Sequence, residues 1–554
     1  MKWKGEWEMT LLRKTVGEIV KEQARFHPEQ EAYVYPEHSI RKTYQEFDEE
    51  TDELAKAFMG MGIDKGEHVA IWSDNKREWL LSQFATGKMG AVLVTVNTNY
   101  QATELEYLLK QSDATTLILD ESFKGTSYID IIRTVCPELL ASKDGVIASK
   151  KLPHLKRVIL MTEREEQGMY KWSEVMAHAS EVTNQQLAAR FQSLDPDDVI
   201  NIQYTSGTTG FPKGVMLTHN NVVNNGKLIG DYMKLTEQDR VCIPVPFFHC
   251  FGCVLGTMAA VTHGSTMVLL EQFDPLRVLQ TVQDEKCTAL HGVPTMFIAE
   301  LNHADFNKFD TSTLRTGIMA GSTCPIEVMK RVIEDMGASE ITICYGQTES
   351  SPVITQTKTD DPIEKRVSTV GKPHPHVEVK VIDPMTGEEV PIGEPGELCT
   401  RGYHVMKGYY NNEEATRAAI DEDGWLHTGD IAVMDADGYL DITGRIKDVV
   451  IRGGENVYPR EVEEFLYTLT GVADVQVVGV PDPKYGEELM AWIIRKDGVH
   501  LDVETVREFC KGRISYHKIP KYIEFTDAYP MTASGKIQKF KLREMSVEKS
   551  HQHQ

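Results

Sequence analysis

Residues Tyr204–Gly214 read Tyr-Thr-Ser-Gly-Thr-Thr-Gly-Phe-Pro-Lys-Gly, and the organisation of the chain follows from this stretch. It places two hydroxyl-rich runs, three glycines and one lysine within eleven residues. The preceding Val199-Ile200-Asn201-Ile202-Gln203 alternates as a half-buried strand does. Val215-Met216-Leu217 predicts a short return strand, and Thr218-His219-Asn220-Asn221 offers an N-cap for a helix. A glycine-rich turn exposes backbone N–H groups that can wrap a polyphosphate. Ser206, Thr208 and Thr209 add hydroxyl donors, and Lys213 adds a mobile positive charge. A flexible polar linker is the plain alternative, but the adjoining apolar strand and the Pro212-Lys213-Gly214 brake weigh against it. The Walker A pattern does not fit, because Pro212 precedes the lysine and Gly214 follows it. A phosphate-binding loop of another kind is therefore expected.

The whole chain bounds the partners. Its 554 residues suggest several compact units, and 41% hydrophobic with 26% charged residues are globular values. No apolar run is long enough to span a membrane, and the first residues lack a signal core, so a cytoplasmic enzyme is expected. A net charge of −24 argues against nucleic acid. That charge is uneven: Lys511–Arg543 holds eight Lys/Arg against two Asp/Glu, which suits either a solvated face or an anionic cofactor. The nine cysteines, including the Cys250/Cys253 pair, lack framework spacing and read as buried free thiols.

Along the chain, Thr15-Val16-Gly17-Glu18 and Thr43-Tyr44-Gln45-Glu46 fit capping boxes. Strands at 68–72, 91–96 and 114–119 alternate with helices at 77–89 and 102–111, which predicts βαβ units and a parallel sheet. Residues 121–156 read as loops around one helix. The α/β rhythm returns from Val199 to about Tyr345. Short strands at 377–382, 396–401, 439–443 and 449–452 then suggest a β-rich subdomain. Gly444–Asp448 is a polar junction. The expected fold is α/β, with a large N-terminal domain (1–446) and a small mobile α+β C-terminal domain (447–554) built on a helix at 459–469, strands at 475–480 and 489–495, and a helix at 503–512. The polar tail from Ser546 is expected to fray.

Ser206–Gly214 resembles the signature loop of the acyl-adenylate-forming, AMP-binding superfamily, which includes acyl-CoA synthetases, peptide-synthetase adenylation domains and luciferases. Five further motifs follow in that superfamily's order, so the resemblance covers roughly residues 15 to 545. It implies that ATP is held by Thr205, Ser206, Gly207, Thr208, Thr209, Gly210, Phe211, Pro212 and Lys213. Gly321, Ser322, Tyr345, Gly346, Gln347, Thr348, Asp430, Arg445 and Lys536 would complete the nucleotide site. Tyr345 offers a flat face to adenine, and Asp430 an acceptor to the ribose hydroxyls. Glu349, with Thr205, would bind Mg2+. In Pro246-Phe247-Phe248-His249-Cys250-Phe251-Gly252, the resemblance gives His249, with Phe248 and Gly321, to the acyl pocket; a lone histidine is otherwise a core residue.

In the same way Lys536 becomes the catalytic lysine of adenylation, working with Glu349, Thr205 and His249. Gly453, Gly454 and Glu455 become the loop facing coenzyme A, and Lys447 the hinge. The implied enzyme is an AMP-forming fatty-acid:CoA ligase using ATP, Mg2+ and coenzyme A on small-molecule substrates. Residues 452–459 and 534–543 resemble the medium-chain branch of acyl-CoA synthetase family member 2 type. A carrier-protein-loading adenylase, an aryl-CoA ligase and a luciferase-type oxygenase are the alternatives, and a homodimer is left open.

Overall fold

The computed structural model describes residues 3–4 (backbone), 10–142, 147–205, 212–322, 324–453, 455–533 and 535–552. Two large sheets dominate. In the first, strand order runs Tyr170–Lys171, Arg157–Leu160, Thr116–Leu119, His68–Trp72, Val92–Thr95, Val199–Thr205, Lys213–Thr218, Gly408–Tyr409. Its strands are parallel as far as Val199–Thr205, and the last two run antiparallel. The parallel strands are buried on both faces, as helices on each side require: Val92–Thr95 and Thr116–Leu119 are buried throughout. The expected helices form at Arg77–Met89 and Ala102–Gln111, and both capping boxes are made.

The second sheet runs Lys372–Pro373, Val353–Gln356, Thr342–Gly346, Thr316–Met319, Ala289–Gly292, Arg240–Ile243, Thr266–Leu269, Glu31–Tyr35, Ile40–Thr43. One core joins the two sheets, with Phe47, Phe58, Trp79, Phe84, Val215 and Met258 packed in it. The carboxyl ends of Thr316–Met319 and Thr342–Gly346 deliver Gly321, Ser322 and Tyr345, where ligands bind in open parallel sheets. Residues 121–156 add a short hairpin, Ser122–Phe123 with Thr126–Ser127, to the expected helix Tyr128–Val135.

The β-rich region forms an antiparallel sheet of Trp3–Lys4, Val377–Ile382, Gly396–Gly402, Leu426–Met434 and Leu440–Arg445. The strand Leu426–Met434, between Gly396–Gly402 and Leu440–Arg445, is missing from the sequence reading because a bulge breaks its alternation: Cys399 lies opposite His427, but Glu397 lies opposite Ile431. Residues 449–452 do not belong here. Val450–Arg452 pairs with Glu455–Val457 and Gly486–Arg495 in a fourth sheet, and Val450 packs against Val477 and Leu489 in that sheet's own core. The other members of this sheet are Val472–Asp482 and Tyr522–Phe525.

The expected frayed tail is corrected too. Lys539–Gln552 is a helix whose Leu542, Ser546 and Ser550 are buried. These residues lie four apart on one face. Ser546 accepts from the Trp492 indole N–H (2.7 Å) and donates to the Leu542 carbonyl. A serine stripe, satisfied in this way, looks polar in sequence and is core in space.

Candidate active site

The glycine-rich stretch connects a hairpin. Val199–Thr205 and Lys213–Thr218 pair antiparallel, with Thr205 opposite Lys213, and Thr218 caps the helix His219–Tyr232 by accepting from the Asn221 N–H. Ser206, Gly207, Thr208, Thr209, Gly210 and Phe211 lie outside the described residues. The C-terminal end of the loop is held at two points: Tyr107 donates to the Pro212 carbonyl (3.1 Å), and the Lys213 ammonium lies over the Tyr409 ring, 4.9 Å from its centre. Tyr409 in turn donates to Glu349 Oε1 (2.8 Å). The strand Gly408–Tyr409 pairs with the return strand of the loop, so a register decision brings Lys213 and Glu349 to one aromatic ring. Glu349 Oε2 has no protein partner among the described residues, so a hard oxygen ligand beside the loop is available to a cation.

The nucleotide-side residues converge on Asp430. The Tyr345 hydroxyl donates to its Oδ2 (2.6 Å), and Arg445 Nε lies 3.0 Å from its Oδ1. Asp430 and Arg445 are directly opposite in the pair Leu426–Met434 with Leu440–Arg445. Burial raises the Asp430 carboxyl above the usual range, opposed by the Arg445 guanidinium and the Tyr345 hydroxyl. Gly346 and Gln347 follow Tyr345 at the surface, and Thr348 is buried beneath them.

Lys536 reaches the same place from the small C-terminal unit. A Cβ built on Gly321, where φ is +91°, would meet Lys536 Cε at 3.0 Å, so a glycine is what lets the lysine pass. The loop is docked by Thr295, whose hydroxyl donates to the Gly535 carbonyl (2.9 Å). Burial, and secondarily the Arg445 charge, lower the Lys536 ammonium to about 8. Among the described residues no carboxylate forms an ion pair with it.

His249 is half-buried beside Phe248. The Phe251 N–H donates to its Nδ1 (3.2 Å), which assigns the proton to Nε2. Burial, and then the Lys536 charge, hold the imidazole well below its ordinary pKa, so the ring is neutral. Behind it, the Cys250 thiol donates to Gln203 Oε1 (2.9 Å) and Gln203 Nε2 donates to Cys253 (3.0 Å). All nine cysteines are free and buried, as the sequence implied.

The remaining expected residues lie elsewhere. Gly453 and Glu455 are exposed on the hairpin Val450–Arg452/Glu455–Val457; Gly454 is outside the described residues. Gly453, at φ +62°, donates its N–H to the Tyr485 carbonyl (2.7 Å). Lys447 is exposed in the single turn Ile446–Asp448 between the third and fourth sheets. Gln203, Thr295 and Tyr409 belong to the site and were not found from sequence. A glutamine at an inward strand position was the one available signal, whereas Thr295 and Tyr409 join the site only through tertiary pairing.

The AMP-binding enzyme family model matches residues 20–410, and the AMP-binding enzyme C-terminal domain model matches 461–536. A Bacillus subtilis (strain 168) protein named "Putative acyl-CoA synthetase YngI" is 60% identical over 538 residues, 97% of this chain and 98% of the relative. The mitochondrial medium-chain acyl-CoA ligase ACSF2 of Bos taurus is 42% identical, over 98% of this chain and 89% of that protein. Among solved structures, ATP-bound MatB from Rhodopseudomonas palustris superposes with a TM-score of 0.83 at 28% identity, covering 96% of this chain and 99% of that one.

Proposed function

The chain belongs to the AMP-binding enzyme family and catalyses ATP-dependent acyl-CoA formation as an AMP-forming acid–thiol ligase, and from that premise we propose that its acid is a medium-chain fatty acid activated at the Lys536–Asp430–Glu349 cluster. The observation that carries the site assignment is the convergence of Lys536, from the small C-terminal unit, on Gly321 and the Asp430–Arg445–Tyr345 group of the large one. The medium-chain assignment rests on the ACSF2 relatives.

A carboxylate is already ionised near neutral pH, so it attacks the ATP α-phosphate without a general base. Acyl-AMP forms and pyrophosphate leaves. Lys536 is the charge that neutralises the developing oxyanion, in a site dry enough to strengthen the interaction. Asp430, freed from its contacts with Tyr345 and Arg445, is the acceptor for ribose hydroxyls, and Tyr345 and Gly346 flank the adenine. Residues 205–213 wrap the phosphates, with Gly321, Ser322, Gln347 and Thr348 at the edge. Glu349 and Thr205 would hold Mg2+, which supplies neutralisation of the triphosphate when bound. Neutral His249, beside Phe248, orients the carboxylate end of the acid and presents no competing cation.

For the second half-reaction, the C-terminal unit (447–554) turns about Lys447, withdraws Lys536 and presents Gly453, Gly454 and Glu455 to the pantetheine arm. The coenzyme A thiolate then displaces AMP. Nine free buried thiols support residence in a reducing compartment, the cytoplasm.

The deciding experiment is AMP release, with ATP and Mg2+, across fatty acids from butyrate to stearate plus benzoate, with and without coenzyme A. Release that requires coenzyme A and peaks between hexanoate and dodecanoate is the expected result. A maximum at benzoate or stearate overturns the medium-chain assignment. A pyrophosphate burst without turnover points to a carrier protein as the acyl acceptor.

A further inference from the structure

The bulge that carries Asp430 has a second face, and chemistry unrelated to nucleotide binding is gathered there. Glu397 and Cys399 are two apart on Gly396–Gly402, and His427 lies directly across from Cys399 on Leu426–Met434. Their donor atoms converge: His427 Nδ1 is 3.1 Å from Glu397 Oε2 and 3.5 Å from Cys399 Sγ, and the three lie within 4.8 Å of one another. A tetrahedral ion held at ordinary zinc–nitrogen, zinc–oxygen and zinc–sulfur bond lengths needs donors about 3.3 to 3.7 Å apart. The 3.5 Å separation falls in this range and the 3.1 Å one about 0.2 Å below it, so small shifts of His427 would admit one ion. Cys399 and Glu397 are buried, and His427 is 32% exposed, so the cluster meets solvent at the imidazole.

We propose that Glu397, Cys399 and His427 form a site for a thiolate-preferring divalent cation of the Zn2+ class, distinct from the Mg2+ position assigned to Glu349. Ligand type makes the distinction, since a thiol and an imidazole select a softer ion than carboxylate and phosphate oxygens do. Asp421, 3.6 Å from His427 Nε2, is the nearest carboxylate to the other ring nitrogen among the described ion pairs and is placed to act as the outer partner that orients a metal-ligating imidazole. Glu397 connects the site to the nucleotide. Its Oε1 accepts the Gly429 N–H (3.1 Å), one residue before Asp430, so an ion drawn to Oε2 tethers the turn that presents Asp430.

The test uses the full-length protein stripped with chelator. Co2+ titration is followed by absorption, and Zn2+ stoichiometry by equilibrium dialysis. The expected result is one ion per chain with a near-ultraviolet thiolate-to-cobalt band. Cys399→Ser should abolish the band. His427→Lys, which keeps a cation against Glu397 and so protects the fold, should weaken binding by more than the roughly tenfold typical of losing an outer-shell partner. Cys510→Ser, at a buried thiol remote from this cluster, should change neither readout. Wild-type protein without a thiolate band, or with Zn2+ affinity unchanged in Cys399→Ser and His427→Lys, overturns the proposal.

Discussion

An ammonium that stabilises charge on phosphorus has to be charged and poorly hydrated together, and burial works against the first of these demands. The role proposed for Lys536 meets this compromise, its pKa lowered to about 8 by burial first and the Arg445 charge second. The charged form is the active one and persists below that value, so it is lost as pH rises. The adenylation rate on kcat/KM, which reports the free enzyme, is therefore expected to fall above about pH 8, where an ordinary lysine would hold to about 10. A pH–rate profile of pyrophosphate release checks this; a flat profile to pH 10 removes Lys536 as the controlling group. Lys536→Ala should lose adenylation by about a hundredfold or more, the usual cost of one pre-organised charge donor. The same variant should still transfer a presynthesised acyl-AMP to coenzyme A. Loss of both half-reactions would refute the division of roles.

Among the elements, the last helix is the one whose importance composition conceals. Lys539–Gln552 buries Leu542 and two serines against Val472–Asp482 and the Trp492 side chain, and Lys539 pairs with Glu463 (2.7 Å). These contacts anchor the segment immediately after Lys536. Ser546→Ala leaves the buried Trp492 N–H without an acceptor, at a cost of about 1–3 kcal/mol. A lowered denaturation midpoint, with the adenylation rate preserved below that midpoint, is the expected outcome. Unchanged stability would show that water replaces the hydroxyl.

At the scale of the molecule, Lys536 and the Gly453 hairpin belong to one small unit, and Lys536 is the one lodged against Gly321 of the large unit. Besides the Thr295–Gly535 contact, this pose is held by Arg460, which donates to Asp441 Oδ1 (2.5 Å) and to the Ile442 carbonyl. Arg460→Ala removes an attachment between the two units in the arrangement proposed for adenylation. It is expected to slow adenylation several-fold while sparing thioester formation from acyl-AMP, as measured by single-turnover rates of each half-reaction. Equal slowing of both would assign Arg460 to general stability.

Much of this architecture was legible in the sequence because its determinants are local. Strand and helix periods between His68 and Gln111 depend on neighbouring residues, and the capping boxes at Thr15 and Thr43 are complete within four residues. The loop 204–214 carries its phosphate-binding character in contiguous residue types, whereas adenine and cation at Tyr345–Glu349 and the role of Lys536 came from the resemblance to the acyl-adenylate-forming superfamily. Only the tertiary structure decided what depends on pairing between distant strands. A bulge opposite Glu397–Cys399 concealed the strand Leu426–Met434 and brought Asp430 to Arg445. Partner choice placed Val450–Arg452 in the C-terminal sheet, and a buried indole turned a polar serine stripe into core. The physical reason is the same in each case. A hydrogen bond across a sheet or between helix and sheet satisfies groups tens of residues apart or across a bulge, and no local period records which partner will supply it.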